Sequence, residues 1–355
     1  MWRDAPPAET DADARPPQHF GDPPAEYHAL STTAGLADFS HRTQVELRGS
    51  DRAPFLHNLC TNEIRKLAVG RGTEAFLTNP QGKILAHVWV FCEAEALVLE
   101  TVPGEAAMLL AHLDRYLIRE DVQLVDRSAD RAELLLAGPD STALLAGTMA
   151  DELPDVLLGH RPIALRDGPP VVVRRVDWTG PVGYLLSVDR VHLVPLWTRL
   201  LAAGAVPCGE AAIEPARIEA GTPWYRRDVT DQNLPQEIDR NERAISFVKG
   251  CYIGQETVAR IDALGHVNKL LVRLKGGVPT SGPGRIDQTS IDPLSDQAAR
   301  ELSLAGRPVG MLTSLARIPH GERLVALGYV RREANTPHAQ LESAWGPLEI
   351  VPPAV

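Results

Sequence analysis

Cysteine is scarce in this chain: Cys60, Cys92, Cys208 and Cys251 are scattered over 355 residues without a CxxC pair. That spacing excludes the disulfide framework of a small secreted domain. Adding the eleven histidines produces no zinc or ferredoxin ligand pattern, so no stably bound metal is expected. Long apolar runs are missing too; none approaches the roughly 20 residues of a membrane helix, and nothing is expected to span a bilayer. Positive charge is in deficit, with 36 Lys and Arg against 46 Asp and Glu and a formal net charge of −10. Broad contact with a phosphate backbone needs the opposite balance, so nucleic acid is not an expected partner. The opening MWRDAPPAETDADARPPQHF lacks both the apolar stretch of a secretory signal and the basic amphipathic pattern of an organellar presequence. Residues 1–22 read as a disordered tail, and unpaired thiols point to a reducing, cytoplasmic setting.

What the chain does contain is a repeated order of units. In TQVELRGSDRAPFLHNL (43–59) an alternating strand meets Gly49, and Ser50 or Asp51 then offers an N-cap before Phe55, Leu56 and Leu59 at helical spacing. ELLLAGPDSTALLAGTM (133–149) repeats it, with Gly138 and Asp140 in the corresponding places. A second type of unit, strand then amphipathic helix, occupies 95–117 and 182–204. The alternation of the two types suggests an internal duplication. Further strands are expected at 74–79, 84–91 and 171–176, which makes the region α+β. Past Gly265 helical periodicity stops, and runs such as KLLVRL (269–274), VGMLTS (309–314) and RLVALGYV (323–330) alternate with glycine- and proline-bearing loops. The expected division is a tail (1–22), two α+β lobes (23–265) and an all-β module (266–355).

The segment KGCYIGQE (249–256) carries the clearest chemistry. Gly254 can cap a helix in which Glu256 occupies the first turn and Val258, Ile261 and Leu264 share a face, and Gly265 stops it. Cys251 thus precedes a helix N-terminus and stands two residues from Lys249; both neighbours favour thiolate over thiol. The same position also suits a small buried residue filling a loop-to-helix junction. These residues alone leave both readings open.

KGCYIGQE resembles the signature of the YgfZ-type folate-binding proteins, bacterial factors for iron–sulfur protein maintenance related to the T-protein (aminomethyltransferase) of the glycine cleavage system. ARIEAGTPWYRRD (216–228), LPQE (234–237), AISFVKGCYIGQETVARI (244–261), AEYHALSTTAGLADFS near the N-terminus and VGMLTS carry the similarity over about residues 25–350. The resemblance implies a three-lobed cloverleaf around a central folate pocket, ending in a β-barrel. Tetrahydrofolate or a derivative is the implied ligand. Glu219, in the Glu-Ala-Gly segment, is the implied acceptor for the adjacent N–H donors of a pterin, and Tyr225 is a second candidate contact. Cys251 and Lys249 are the candidate catalytic pair, with Gly250, Tyr252, Gly254, Gln255 and Glu256 completing the motif.

One segment departs from the T-protein pattern. Where that pattern has two aspartates, NPQGKILAH (79–87) has Ala86 and His87, and Lys83 replaces a glycine. Loss of a positioned carboxylate typically lowers a rate by about 10²- to 10⁴-fold, so ordinary aminomethyl transfer is not expected. His87 falls inside ILAHVWVF and reads as a histidine packed on a strand. The expected function is that of a monomeric, tetrahydrofolate-binding accessory factor that works with an iron–sulfur cluster carrier or client enzymes through the Cys251 thiol. The alternative is a folate-dependent aminomethyltransferase or demethylase.

Overall fold

The computed structural model describes residues 15–166, 168–278, 294, 297–319 and 323–352. Most of the expected disordered tail lies outside the described residues, but its last part is placed and corrects that reading. Phe20 is buried with its ring 5.8 Å from that of Trp197. Its N–H donates to Glu26 Oε1 at 2.7 Å, and the Glu210 N–H donates to the Pro17 carbonyl at 3.1 Å. One aromatic anchor and these hydrogen bonds, with a third from the Ala211 N–H to the Gln18 carbonyl at 2.9 Å, hold residues that composition alone assigns to solvent.

Two sheets occupy the region before Gly265. In the first, the spatial order is Arg71–Thr78, Ile84–Cys92, Ala96–Thr101, Thr43–Arg48 and Gln123–Asp126, all antiparallel. The second runs His160–Ala164, Pro170–Val176, Gly183–Asp189, Arg131–Ala137, Gly35–Asp38 and Val206–Pro207. Apart from the interposed Gly35–Asp38, its strand order repeats that of the first. The helices fall where the paired units place them: Arg52–His57 and Ala106–Asp114 in one, Ser141–Thr148 and Leu193–Ala202 in the other.

Side-chain alternation decides what each face covers. In the first sheet Val45, Leu47, Val88, Val90, Leu97 and Leu99 turn to Leu56, Leu109 and Leu113 of its helices, while Phe76, Trp89, Phe91 and Val98 enter a shared core. In the second, Leu134, Leu136 and Leu186 turn to Leu145, Leu193 and Trp197, while Leu135, Ala137 and Leu185 enter that same shared core. The helix Glu210–Ala220 packs there through Ala212, Ile213, Ala216 and Ile218. Both sheets are therefore covered on two sides, which explains why central strands such as Ile84–Cys92 and Ala96–Thr101 read as nearly continuous apolar runs.

The C-terminal sheet has the order Glu301–Leu304, Arg307–Arg317, Arg323–Arg331, Lys269–Gly277, Leu348–Val351 and Gln340–Leu341. Its first and last strands nearly meet: Ser303 and Glu342 exchange backbone hydrogen bonds of 2.9 and 2.8 Å. The result is a barrel-like, almost closed sheet around Leu274, Leu302, Leu312, Ala326 and Leu348. Mixed α and β content and a barrel-like C-terminal sheet are thus what the chain forms.

Candidate functional site

KGCYIGQE forms a strap across the first sheet. The helix that follows it spans Gln255–Leu264 between two left-handed glycines, Gly254 (φ 82°) and Gly265 (φ 71°). Gly254 is required by close approach as well as by φ, since a Cβ there would lie 2.5 Å from the Asn79 carbonyl oxygen and 2.9 Å from Gly82 Cα. The motif glycine therefore joins the strap to the turn of the Arg71–Cys92 hairpin. Of the expected apolar helix face only Val258 is buried; Leu264 is 62% exposed.

Lys249 is buried, and its ammonium donates to the carbonyls of His57, Cys60 and Asn62 at 2.6, 2.7 and 2.7 Å. It also lies 4.8 Å from the centre of the Tyr252 ring, and burial lowers its pKa. The side chain is a clamp on residues 57–62, not the free cation beside a thiol that the sequence reading expects. Ser246 and Ile253 N–H groups extend the attachment to the Thr61 and Asn58 carbonyls at 2.9 and 3.1 Å. Cys251 itself is exposed, which sets aside the space-filling reading. Beside it Val248 is 97% exposed and a Cβ on Gly250 would meet nothing within 4 Å, so the clamped strap presents an accessible thiol. Gln255 and Glu256 occupy the first helical turn, with Glu256 in solvent.

A cavity of ≈ 680 Å³ forms where five segments converge, among them residues 15–18 and 102–103. Phe39 and His41 come from the link between the two sheets, Glu214 from the helix Glu210–Ala220, and Trp224, Tyr225 and Arg226 from the loop after the left-handed Gly221. Arg217 fixes that loop. Its buried guanidinium pairs with both Glu214 oxygens at 2.7 and 2.6 Å and with Asp228 Oδ2 at 2.8 Å. Asp228 in turn accepts from the Trp224 N–H at 3.0 Å and from the Ser314 hydroxyl of the barrel at 2.6 Å. Arg226, held at φ 68°, makes a paired contact of 2.8 and 3.1 Å with Glu105.

Two buried polar atoms of this lining, His41 Nδ1 and Trp224 Nε1, have no hydrogen-bond partner among the described residues. Burial, reinforced by the Arg42 charge, lowers the His41 pKa to about 3, so its ring is neutral and can accept or donate. Burial pushes Tyr225 up to about 12 and raises the Glu210 carboxyl. Aromatic walls, a few polar groups and this volume suit a flat heteroaromatic ligand.

The structure separates the two residues expected at a folate. Tyr225 lines this cavity, whereas Glu219 lies in the last turn of the helix and borders another cavity, of ≈ 520 Å³. There the Tyr27 hydroxyl donates to Glu219 Oε2, and Arg323 stands 3.5 Å from Oε1. Phe39, His41 and Trp224 escape the sequence reading, although Trp224 adjoins Tyr225 in the quoted WYRRD. The 79–87 segment offers no free carboxylate. Ala86 is fully buried, and His87 Nε2 lies 2.6 Å from Glu74 Oε1 with its ring packed between Phe76 and Trp89. Burial alone would raise Glu74, but Arg240 and His87 outweigh it and hold the carboxyl well below its ordinary range. Among the described residues no group of three or more His, Cys, Asp or Glu could hold a metal ion, and no helix is long and apolar enough to cross a membrane.

Comparison with known proteins identifies the family. The GCVT N-terminal domain profile matches residues 15–249. An aminomethyltransferase of Thermus thermophilus is 29% identical over 340 residues, 92% of this chain and 90% of that protein. Another, from Rubrobacter xylanophilus, is 28% identical over 326 residues, 88% of this chain and 87% of the relative. The glycine cleavage system aminomethyltransferase T of Bartonella henselae superimposes with a TM-score of 0.78 at 21% identity, covering 93% of this chain and 88% of that one, which establishes the shared fold.

Proposed function

From the chain's membership of the GCVT family, we propose that it is a reduced-folate-binding protein of the one-carbon transferase class. The observation that supports this reading is the ≈ 680 Å³ cavity with its aromatic walls and two unpartnered polar atoms. Phe39, Trp224 and Tyr225 would flank a pterin. Glu214, paired with Arg217 at 2.6 Å and with Arg227 at 2.9 Å, would accept its N–H donors. When bound, a reduced folate supplies ring nitrogens that accept or release a one-carbon unit. The chain's own residues exclude water and orient the ring, and burial raises the Glu210 carboxyl on the cavity wall.

Titration with tetrahydrofolate tests the reading. Trp224→Ala removes a stacking face worth roughly 1–3 kcal/mol, so affinity should fall by about 5- to 150-fold. Equal affinities would remove the ligand from this cavity.

A second reading rests on the clamped strap. Cys251 is exposed beside Val248 on a backbone tied to the first sheet, as a thiol offered to a partner protein would be. With the resemblance to YgfZ-type proteins, this favours an accessory role toward an iron–sulfur cluster carrier or client enzymes. Cys251→Ser should leave folding and folate affinity near wild type while client enzyme activity falls in cells. Full client activity would show that the sulfur is dispensable.

A further inference from the structure

The ≈ 520 Å³ cavity at the end of the helix Glu210–Ala220 is distinct in its chemistry. Leu30, Pro139, Val182 and Ala216 give it apolar walls. Five polar side chains interrupt them: Ser31, Asp177, Thr179, Glu219 and Arg273. Asp177 already has a counter-ion, the Arg243 guanidinium at 2.8 Å. Glu219 presents a carboxylate whose contacts are the Tyr27 hydroxyl and, at 3.5 Å, Arg323. Arg273 donates to two main-chain carbonyls, of Glu219 at 3.2 Å and Pro352 at 2.9 Å, and neither neutralises its charge. Thr179 is only 8% exposed, yet its hydroxyl has no partner among the described residues. A buried hydroxyl left unpaired costs about 1–3 kcal/mol, so its place on a cavity wall calls for a ligand atom.

With Asp177 paired to Arg243, the Glu219 carboxylate and the Arg273 guanidinium border one space without being bonded to each other through their side chains, and an unpaired hydroxyl and an apolar surface complete it. We propose that this cavity binds an aliphatic α-amino acid or an N-alkyl derivative of one. Its carboxylate meets Arg273 and the Thr179 hydroxyl, its ammonium meets Glu219, and its side chain lies on Leu30, Val182 and Ala216. A simple anion would leave Glu219 facing like charge, and a simple amine would leave Arg273 without a counter-ion. The proposal stands independently of the folate reading, because the two cavities share no lining residue.

L-leucine, with 4-methylpentanoate and 3-methylbutylamine as its half-ligands, tests the assignment by calorimetry and saturation-transfer NMR on the full chain. L-leucine should bind, and each half-ligand should bind at least about tenfold more weakly, since each forfeits one charge-assisted contact. Glu219→Gln and Arg273→Met should each lose about tenfold or more. Thr179→Val keeps the shape and should lose several-fold, so the idea stays testable if Arg273→Met does not fold. Trp224→Ala should leave L-leucine binding unchanged. No saturation transfer from L-leucine, or equal affinity in the Glu219→Gln and Thr179→Val proteins, would overturn the proposal while leaving the folate reading intact. Tetrahydrofolate affinity that falls in Glu219→Gln but holds in Trp224→Ala would place the folate here and overturn both.

Discussion

Replacing Lys249 by Met distinguishes a clamp from a thiol activator. Three carbonyl oxygens, those of His57, Cys60 and Asn62, lose a charged donor at 2.6–2.7 Å. Hydrogen bonds to charged groups contribute roughly 1.5–3 kcal/mol each, and the desolvation of one buried ammonium offsets several kcal/mol of that sum. A net loss of about 3 kcal/mol in the attachment of the strap follows, because methionine fills the volume but cannot donate. The chain has several cores, so a global unfolding midpoint would blur the effect. Hydrogen exchange across residues 244–256 reads it locally. The Ser246 and Ile253 amides, which donate to Thr61 and Asn58, should exchange about 100-fold faster if the strap opens as a unit. Alkylation of Cys251 by iodoacetamide should not slow, since the thiol is already exposed. Unchanged protection together with slower alkylation would refute the clamp and return Lys249 to the role of thiol activator.

Gly254→Ala should destabilise the same region by more than about 3 kcal/mol as read by hydrogen exchange across residues 244–256, since positive φ and a 2.5 Å approach to the Asn79 oxygen act together; wild-type protection would show that the strap can move aside. Burial and then the nearby Glu100 raise the Glu133 carboxyl above its ordinary 4.5, so the folded chain holds a proton that the unfolded chain releases. That contribution is present below pH 4.5 and is lost as pH rises through the neutral range; Glu133→Gln should flatten the decline in stability, and an unchanged slope would exclude this carboxyl. Methylenetetrahydrofolate formation from an aminomethyl-loaded lipoyl carrier should be negligible, because Ala86 is buried and His87 is bound to Glu74. Turnover within the usual enzymatic range of about 1–10³ s⁻¹ would contradict that expectation.

Local signals were legible where they were sufficient. Gly254 and Gly265 bracket the helix Gln255–Leu264 as the caps predict, and strand then helix forms within 43–59 and 133–149, although neither Asp51 nor Asp140 caps its helix through its side chain and Asp51 instead accepts from the Asp121 N–H. His87 is packed on its strand, as its apolar neighbours indicate. What escaped depends on contacts between distant residues. Nothing beside Lys249 announces that its partners are the carbonyls of 57–62, and nothing beside Glu219 announces Tyr27. The cavity of Phe39, His41 and Trp224 is assembled from five segments; Phe39 and Trp224 lie in quoted motifs, but nothing in either motif announces that the two face one space. Phe20 shows the converse error: a single aromatic docking on Trp197 outweighs the acidic, proline-rich composition around it.

The interposed strand Gly35–Asp38 imposes an order on the assembly of the two sheets. It pairs on one side with Arg131–Ala137 and on the other, in parallel, with Val206–Pro207. The five strands of the first sheet lie wholly between residues 43 and 126. As the chain leaves the ribosome, that sheet can close while Gly35–Asp38, made earlier, still waits for both neighbours. Among the described strands of these two sheets, the earliest to be translated is thus enclosed only when Val206–Pro207 has emerged, and a chaperone that held residues 35–38 would delay the second sheet without delaying the first.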